Sequence, residues 1–539
     1  MKKITILYIC NETGLGGAAQ SLLDMLQEIR IYVTPIVIIP GKGMIENRLE
    51  ELKIKYYSIP FMLAYGMIGN YTQEAENRVL VNNYEAALQI VSIINNENVD
   101  LVHTNSSVGN VGAIAALMTD KPHVWHMREL LEEDFNSEFW NKELKIRLLR
   151  QADCLLAVSD CVKHKYMQKY KLECIRIYDG MDVNKYKNNV IRPNTEQVFL
   201  LVGKVSIEKG QFEAVKAVEI LKSWQVDNFK LIIVGGGNQK YIWTLKKYIK
   251  RNGLQQYIKI LPFSEELSGL RKKALFSLTC SRMEALGRVT IEAMLAGNIV
   301  IGADTGGTLE LIGEGQNRGY LYRQGDSVDL AKIMKKAMEQ HKENMACARD
   351  AQQFALGQFD MTCYARKIYE IYDSVINSNG KGNKANEKKE ILRDLKAEYE
   401  LVKDCTSTHI DGKGNTNKIS RIFQFDEQWL HIRQAGHTLA EYFVRNGIKT
   451  IAIYGMGYLG RNLYDELEGS GVEVLYVIDR EPENVQDVVP VAALDSEWKP
   501  VDAVVVTVVD EEEKLKGCIE RIHYLKSLGL REILYDFDV

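Results

Sequence analysis

The chain lacks any uncharged apolar run of about 18 residues, the minimum for a membrane-spanning helix. It also lacks an excess of charge: the formal net charge is −4, so no overall field draws it to nucleic acid and any basic patch is local. None of its nine cysteines, at 10, 154, 161, 174, 280, 347, 363, 405 and 518, falls in a C-x-x-C or other metal-ligand spacing. An odd, dispersed set fits a reducing compartment. At the start, MKKITILYICNETG closes a short apolar run with Asn, Glu and Gly, without a small-residue cleavage site. It reads as a first strand and not as a signal peptide. A cytoplasmic protein is expected, with scope for peripheral contact at the inner face of a membrane.

What is present is α/β patterning in a chain of 539 residues, long enough for about three or four domains. Hydrophobic residues make up 46% and charged residues 26%, an ordinary globular balance. Short β-branched runs alternate with helix-length amphipathic segments, the signature of parallel layers. Strands are expected at Ile4–Ile9, Ile36–Ile39, Leu101–His103, Val124–His126, Leu155–Val158 and Ile175–Tyr178. A second series follows at Val198–Val202, Leu231–Val234, Ile258–Leu261, Phe276–Cys280 and Ile299–Gly302. Leu22, Met25, Leu26 and Ile29 keep the i, i+3, i+4, i+7 spacing of a buried helix stripe. The expected organisation is a first Rossmann-like domain over 1–190, a second over 191–359, and a helix at 360–376 packing back on the first. A polar linker with a helix near Ile391–Val402 then fills 377–422, before a smaller Rossmann-like domain at 423–539.

The most informative segment runs from Ser281 to Met294, between an apolar strand and an amphipathic helix. Strand C-termini and helix N-termini form the ligand crevice of open α/β sheets. Free amides around Gly287 and Arg288 can hold anionic oxygens there, favoured by the helix dipole. Glu292 lies one turn beyond Arg288, so both can face one ligand, while Glu284 sits back in the loop. Paired carboxylates beside an anion site suit hydroxyl-rich ligands, because each oxygen can accept from sugar or ribose hydroxyls. The competing reading is a solvated Arg288–Glu292 pair worth about 0.3–0.5 kcal/mol.

Glu284 and Glu292 form an E-x7-E pattern that resembles the motif of the retaining glycosyltransferases of family 4, glycosyl transferases group 1. Further pieces follow in that family's order: Gly203, Lys204, Lys209 and Gly210 after one strand, then Gly235-Gly-Gly after the next. Gly306-Gly307-Thr-Leu-Glu310-Leu-Ile comes later, and Gly14-Leu-Gly16-Gly17 and the His126 segment lie in the first half. The match spans roughly 1–376 and implies a GT-B fold of two facing Rossmann-like domains.

The resemblance implies roles. Lys204 and Lys209 would neutralise a donor diphosphate, with Gly203, Gly287 and Arg288 beside it. Glu292 would hold ribose hydroxyls and Glu284 a donor-sugar hydroxyl. His126 would approach the reacting carbon, and Gly16 and Gly17 would let backbone reach phosphate or acceptor. It also implies a nucleotide-diphosphate-sugar donor, a sugar, lipid-linked or glycoconjugate acceptor, and work in surface polysaccharide or glycoconjugate synthesis. The reaction would retain configuration by front-face attack, with no required cofactor and no metal. The D-x-D at Asp536–Asp538 is not expected to bind one. The chain departs from the pattern with Lys204 in place of arginine and with Tyr178-Asp179-Gly180 where many members carry Asn-Gly.

Two features lie apart from that motif set. Gly455, Gly457 and Gly460 follow an apolar strand, and Asp479 ends the next one, in the order of a dinucleotide fingerprint. This allows a nucleotide site or a docking domain with an empty loop. Phe139 to Arg150 is basic and aromatic, with Lys163, His164, Lys165, Lys169 and Lys171 beyond it. It reads either as an interfacial helix beneath a lipid-linked acceptor or as an ordinary surface helix. Competing functions are a nucleotide-linked oxidoreductase and a non-catalytic sugar-nucleotide-binding scaffold.

Overall fold

The computed structural model describes residues 3–69, 72–188, 197–264, 266–378, 384–408, 439–445, 447–454, 458–467, 469–479, 490–493, 501–506 and 532–534. The first lobe contains β1 (Ile4–Cys10), β2 (Val33–Ile39), β3 (Lys55–Ser58), β4 (Tyr65–Met67), β5 (Leu101–Asn105), β6 (His123–Met127), β7 (Ser137–Phe139), β8 (Cys154–Ala157) and β9 (Ile175–Arg176). Seven of these form one parallel sheet in the order β3-β2-β1-β5-β6-β8-β9, with β4 and β7 as a separate antiparallel pair. The second lobe holds β10 (Gln197–Val202), β11 (Phe229–Val234), β12 (Ile258–Leu261), β13 (Phe276–Thr279), β14 (Ile299–Ala303) and β15 (Tyr320–Tyr322), ordered β12-β11-β10-β13-β14-β15. Both orders reverse direction beside their first strand, as doubly wound sheets do.

Sheets covered on both faces need strands that are apolar throughout. Accordingly β5, β6, β8 and β14 are buried along their whole length. The helix Gly17–Ile29 buries Leu22, Met25, Leu26 and Ile29 against the first sheet. The helix Met361–Asn377 also packs there, and its Tyr372 hydroxyl lies 2.6 Å from His103 Nδ1 and 3.3 Å from Tyr8 Oη. Leu286, Ile291, Met294, Leu311 and Ile312 of the second lobe share a continuous apolar core with first-lobe residues, so the lobes are joined by packing as well as by chain.

Sequence pattern missed β3, β4, β7 and β15, each only three or four residues long and only partly buried, too short to show a period. The polar composition after residue 377 also misled. Lys384–Thr408 is one 25-residue helix, far longer than Ile391–Val402, and it buries Ile391, Leu395 and Val402 on the first lobe. Tyr399 stacks on Tyr84 at 4.4 Å, and Asp394 pairs with Arg147 at 2.9 Å.

The membrane-contact reading of Phe139–Arg150 is not supported: Lys142 and Arg150 are exposed, but Phe139 and Lys145 are turned into the lobe. Phe139 is buried, and Lys145 lies under it and Trp125 while donating to Gly109 O and Asn110 Oδ1. Lys165 and Lys169 are tied to Glu132. No helix among the described residues is long and apolar enough to cross a membrane.

In the C-terminal unit, β16 (Thr450–Tyr454), β17 (Glu473–Asp479), β18 (Val491–Ala493), β19 (Ala503–Val506) and β20 (Glu532–Leu534) form a parallel sheet ordered β18-β17-β16-β19-β20. Gly460 lies in the helix Tyr458–Leu467 and Asp479 closes β17, while Gly455, Gly457 and Asp536–Asp538 fall outside the described residues.

Three fully buried histidines give this fold a pH limit. Burial holds His103 and His126 well below the usual value and lowers His123 to about 3, helped in its case by Lys145. The unfolded chain protonates them near pH 6.5 and the folded chain does not, so stability is full above about pH 6.5 and falls below it. Each should add a slope of about 1.4 kcal/mol per pH unit. Urea unfolding followed by tryptophan fluorescence at about pH 7.5 and 5.5 tests this; equal midpoints would contradict neutral buried imidazoles.

Candidate functional site

β10 and β13 are the neighbours at which the second sheet reverses, so the loops leaving their C-terminal ends flank one crevice. Gly203 ends the first of these strands, donating its amide to Val234 O at 3.0 Å. The Gln211 side chain then pins the loop, accepting from Ser206 N and donating to Lys204 O. Lys204 itself is exposed. Lys209 closes a short 3-10 turn before Gly210, whose φ of +68° and approach to Cys280 leave no room for a Cβ. That close approach brings the two loops together. Lys209 Nζ donates to Glu284 Oε1 at 2.9 Å, and Ser281 Oγ donates to the same oxygen at 2.6 Å.

A third charged group comes from the other lobe. Asp134, on the helix Leu131–Phe135, places Oδ2 3.7 Å from Lys209 Nζ. Burial pushes the Asp134 carboxyl up to about 6, with Lys209 opposing and Glu284 reinforcing. Burial works against the Lys209 charge, yet Glu284 and Asp134 together hold its pKa above the ordinary lysine value. Nothing in the local sequence marks Asp134, since its role depends on the approach of the second lobe.

Gly287, with φ +91°, caps the helix Arg288–Leu295 in a conformation suited to glycine. Arg288 and Glu292 take separate partners. Arg288 crosses to the first lobe and donates to Ser21 Oγ at 2.8 Å and Asp24 Oδ2 at 2.6 Å, while Glu292 accepts from Arg271 at 2.6 Å. The solvated intrahelical pair is thus absent, because each side chain finds a better-shielded counter-charge on another element. Glu310 makes a second crossing. Its carboxylate accepts from the Asp160 and Cys161 amides at 2.9 and 3.0 Å, at the N-terminus of the helix Asp160–Tyr170, and from Tyr178 Oη at 2.7 Å. Anions are favoured at such helix ends.

In the first lobe His126 is fully buried, with Nδ1 3.2 Å from Arg128 Nη2 and no partner at Nε2. Arg128 reaches both oxygens of Asp179 at 2.7 Å and Asn105 Oδ1 at 2.8 Å. The departure at Tyr178-Asp179-Gly180 therefore supplies a counter-charge to a buried guanidinium. At the glycine loop, Glu12 accepts from the Gly16 amide, and burial with the nearby Glu129 raises its pKa. Gly16 caps the helix Gly17–Ile29, and a Glu12 carboxyl oxygen fills the space that a Cβ on Gly16 would need. The two amide-group heavy atoms of Asn11 beside it are buried without a partner. No group of three or more His, Cys, Asp or Glu among the described residues could hold a metal ion.

Two doubly wound lobes sharing a core, with a crevice at the switch point between them, have the GT-B architecture. The Glycosyltransferase Family 4 model matches residues 68–185 and the Glycosyl transferases group 1 model residues 182–354, together covering more than half of the chain. An uncharacterized glycosyltransferase of Methanocaldococcus jannaschii is 24% identical over 54% of this chain and 80% of its own length. A GDP-mannose:cellobiosyl-diphosphopolyprenol alpha-mannosyltransferase of Xanthomonas oryzae is 28% identical over 37% of this chain and 52% of its own. Anabaena HepE, solved in complex with UDP, is 25% identical with a TM-score of 0.58, covering 69% of this chain and all of that one. The chain belongs to the family 4, group 1 glycosyltransferases, and it is an enzyme of that kind.

The Arg128–Asp179 pair offers a direct measurement. Asp179→Ala strands a buried guanidinium and should lower stability by about 3–5 kcal/mol. The double change Arg128→Met, Asp179→Leu should recover most of that loss, since a well-packed apolar pair is often no less stable. Urea denaturation of the unaltered chain and the two variants decides the matter, and an undiminished midpoint in Asp179→Ala contradicts it.

Proposed function

We propose that this chain transfers a sugar from a nucleoside-diphosphate sugar to an acceptor hydroxyl with retention of anomeric configuration. The observation that carries the reading is the contact of Lys209 with Glu284 at the switch point of the second sheet, 2.9 Å apart in a half-buried crevice. Breaking the glycosidic bond puts negative charge on the departing diphosphate. A preorganised ammonium in a shielded site lowers that barrier directly. Lys204, on the same loop and exposed, adds a second cation, and Gly203 and Gly287 let backbone come close. Glu284 accepts from sugar hydroxyls and Glu292, held by Arg271, from ribose. His126, neutral through burial and then through the charge of Arg128, contributes an uncharged imidazole from the first lobe.

Front-face attack, with the leaving phosphate taking the acceptor proton, needs no metal and no further cofactor. A glycan or lipid-linked acceptor in polysaccharide or glycoconjugate synthesis is the accompanying reading, supported by the relative named for a diphosphopolyprenol acceptor. The 1–190 and 191–359 boundaries are taken as the acceptor and donor lobes.

The test is hydrolysis and binding of UDP-glucose, GDP-mannose and ADP-glucose by the full chain, with the anomer of the released sugar read by NMR. Glu284→Ala and Lys209→Ala should each slow hydrolysis by about 100-fold or more. Product of inverted configuration would remove the retaining mechanism. Binding of NAD with no sugar nucleotide bound would remove the transferase reading.

A further inference from the structure

Asp134 faces Lys209 across the lobes, and that contact leaves one of its carboxyl oxygens unaccounted for. Its side chain is 7% exposed, yet Oδ1 has no hydrogen-bond partner. Oδ2 faces Lys209 at 3.7 Å, beyond hydrogen-bond reach. Leaving a buried carboxyl oxygen unmatched is destabilising, and such groups in native proteins call for an explanation. The group is also placed against the second lobe, where Lys209 stands between it and Glu284.

We propose that Asp134 is a sugar-specificity residue: its free oxygen takes a hydroxyl of the transferred sugar from the first lobe, opposite Glu284 on the second. The inference rests on the nucleotide-sugar reading above and deepens it. An ionised carboxylate accepts hydrogen bonds only, so it matches a hydroxyl and repels a phosphate. The diphosphate is drawn to Lys209, and the sugar attached to it is then the neutral part that can meet a carboxylate of each lobe beside that ammonium. Sugar-free nucleotide gains nothing from Asp134, because it meets that charge with another negative charge. Recognition of the sugar, as distinct from its nucleotide, thus needs both lobes.

Calorimetric binding to the full-length chain would use UDP-glucose, GDP-mannose and ADP-glucose, each beside UDP, GDP or ADP. Asp134→Asn should weaken the bound sugar nucleotide on the order of 10- to 100-fold while leaving the matching free nucleotide unchanged or tighter. Retained nucleotide binding is itself the check that the variant folds. Asp134→Ala, lacking the amide, should behave in the same direction. Equal weakening of both ligands would mark a structural role and overturn the proposal, as would no weakening of either. If the unaltered chain binds no sugar nucleotide, the nucleotide-sugar reading fails and this one with it. If it binds them and Asp134→Asn leaves the preference intact, only the present inference fails.

Discussion

The arrangement depends on charged side chains that leave the second lobe and find their partners on the first. Arg288 ends on Asp24 and Ser21, Glu310 on the amides that open the helix Asp160–Tyr170, and Lys209 faces Asp134. Each crossing joins a side chain that follows a strand of the second sheet to an element that follows a strand of the first. That is where doubly wound sheets place their ligand crevices. The same seam is closed by apolar packing of the Arg288–Leu295 and Gly306–Ile312 helices into the first-lobe core. The lobes are therefore held in register by contacts at the crevice itself.

A charge in such a seam is shaped by what surrounds it. Arg128 would be disfavoured by burial alone, and Asp179 reverses this, so its pKa rises above the ordinary arginine value. His126, beside the same guanidinium, is driven the other way and stays neutral. Asp134 is raised because Lys209 is not close enough to offset burial and the like charge of Glu284. These three groups thus take different protonation behaviour from burial and from the sign of their nearest partner.

The first-lobe glycine loop illustrates how one side chain changes what a motif can do. A glycine-rich turn at a helix start is suited to an anion. Here the carboxyl of Glu12 accepts the Gly16 amide and is itself raised by burial and by Glu129. A half-buried carboxyl therefore stands at the glycine turn that opens the helix Gly17–Ile29.

The longer strands of the two lobes and the first and closing helices were legible because apolar periodicity is local: Leu22, Met25, Leu26 and Ile29 announce one face of one helix before any tertiary contact exists. The placement of Lys209 and Glu284 at a strand end was legible for the same reason, from glycine spacing after apolar runs. Their mutual contact, the turn of Arg288 toward Asp24 and of Glu292 toward Arg271, and the whole role of Asp134 were not. Those partners lie from 21 to 264 residues apart in the chain. The long helix Lys384–Thr408 was hidden likewise, since only three of its described side chains are buried and composition registers the polar remainder. Local pattern determined which residues could form each element and which loops could meet a ligand. Only the folded arrangement decided which charges pair, because pairing depends on distances between elements that no sequence spacing encodes.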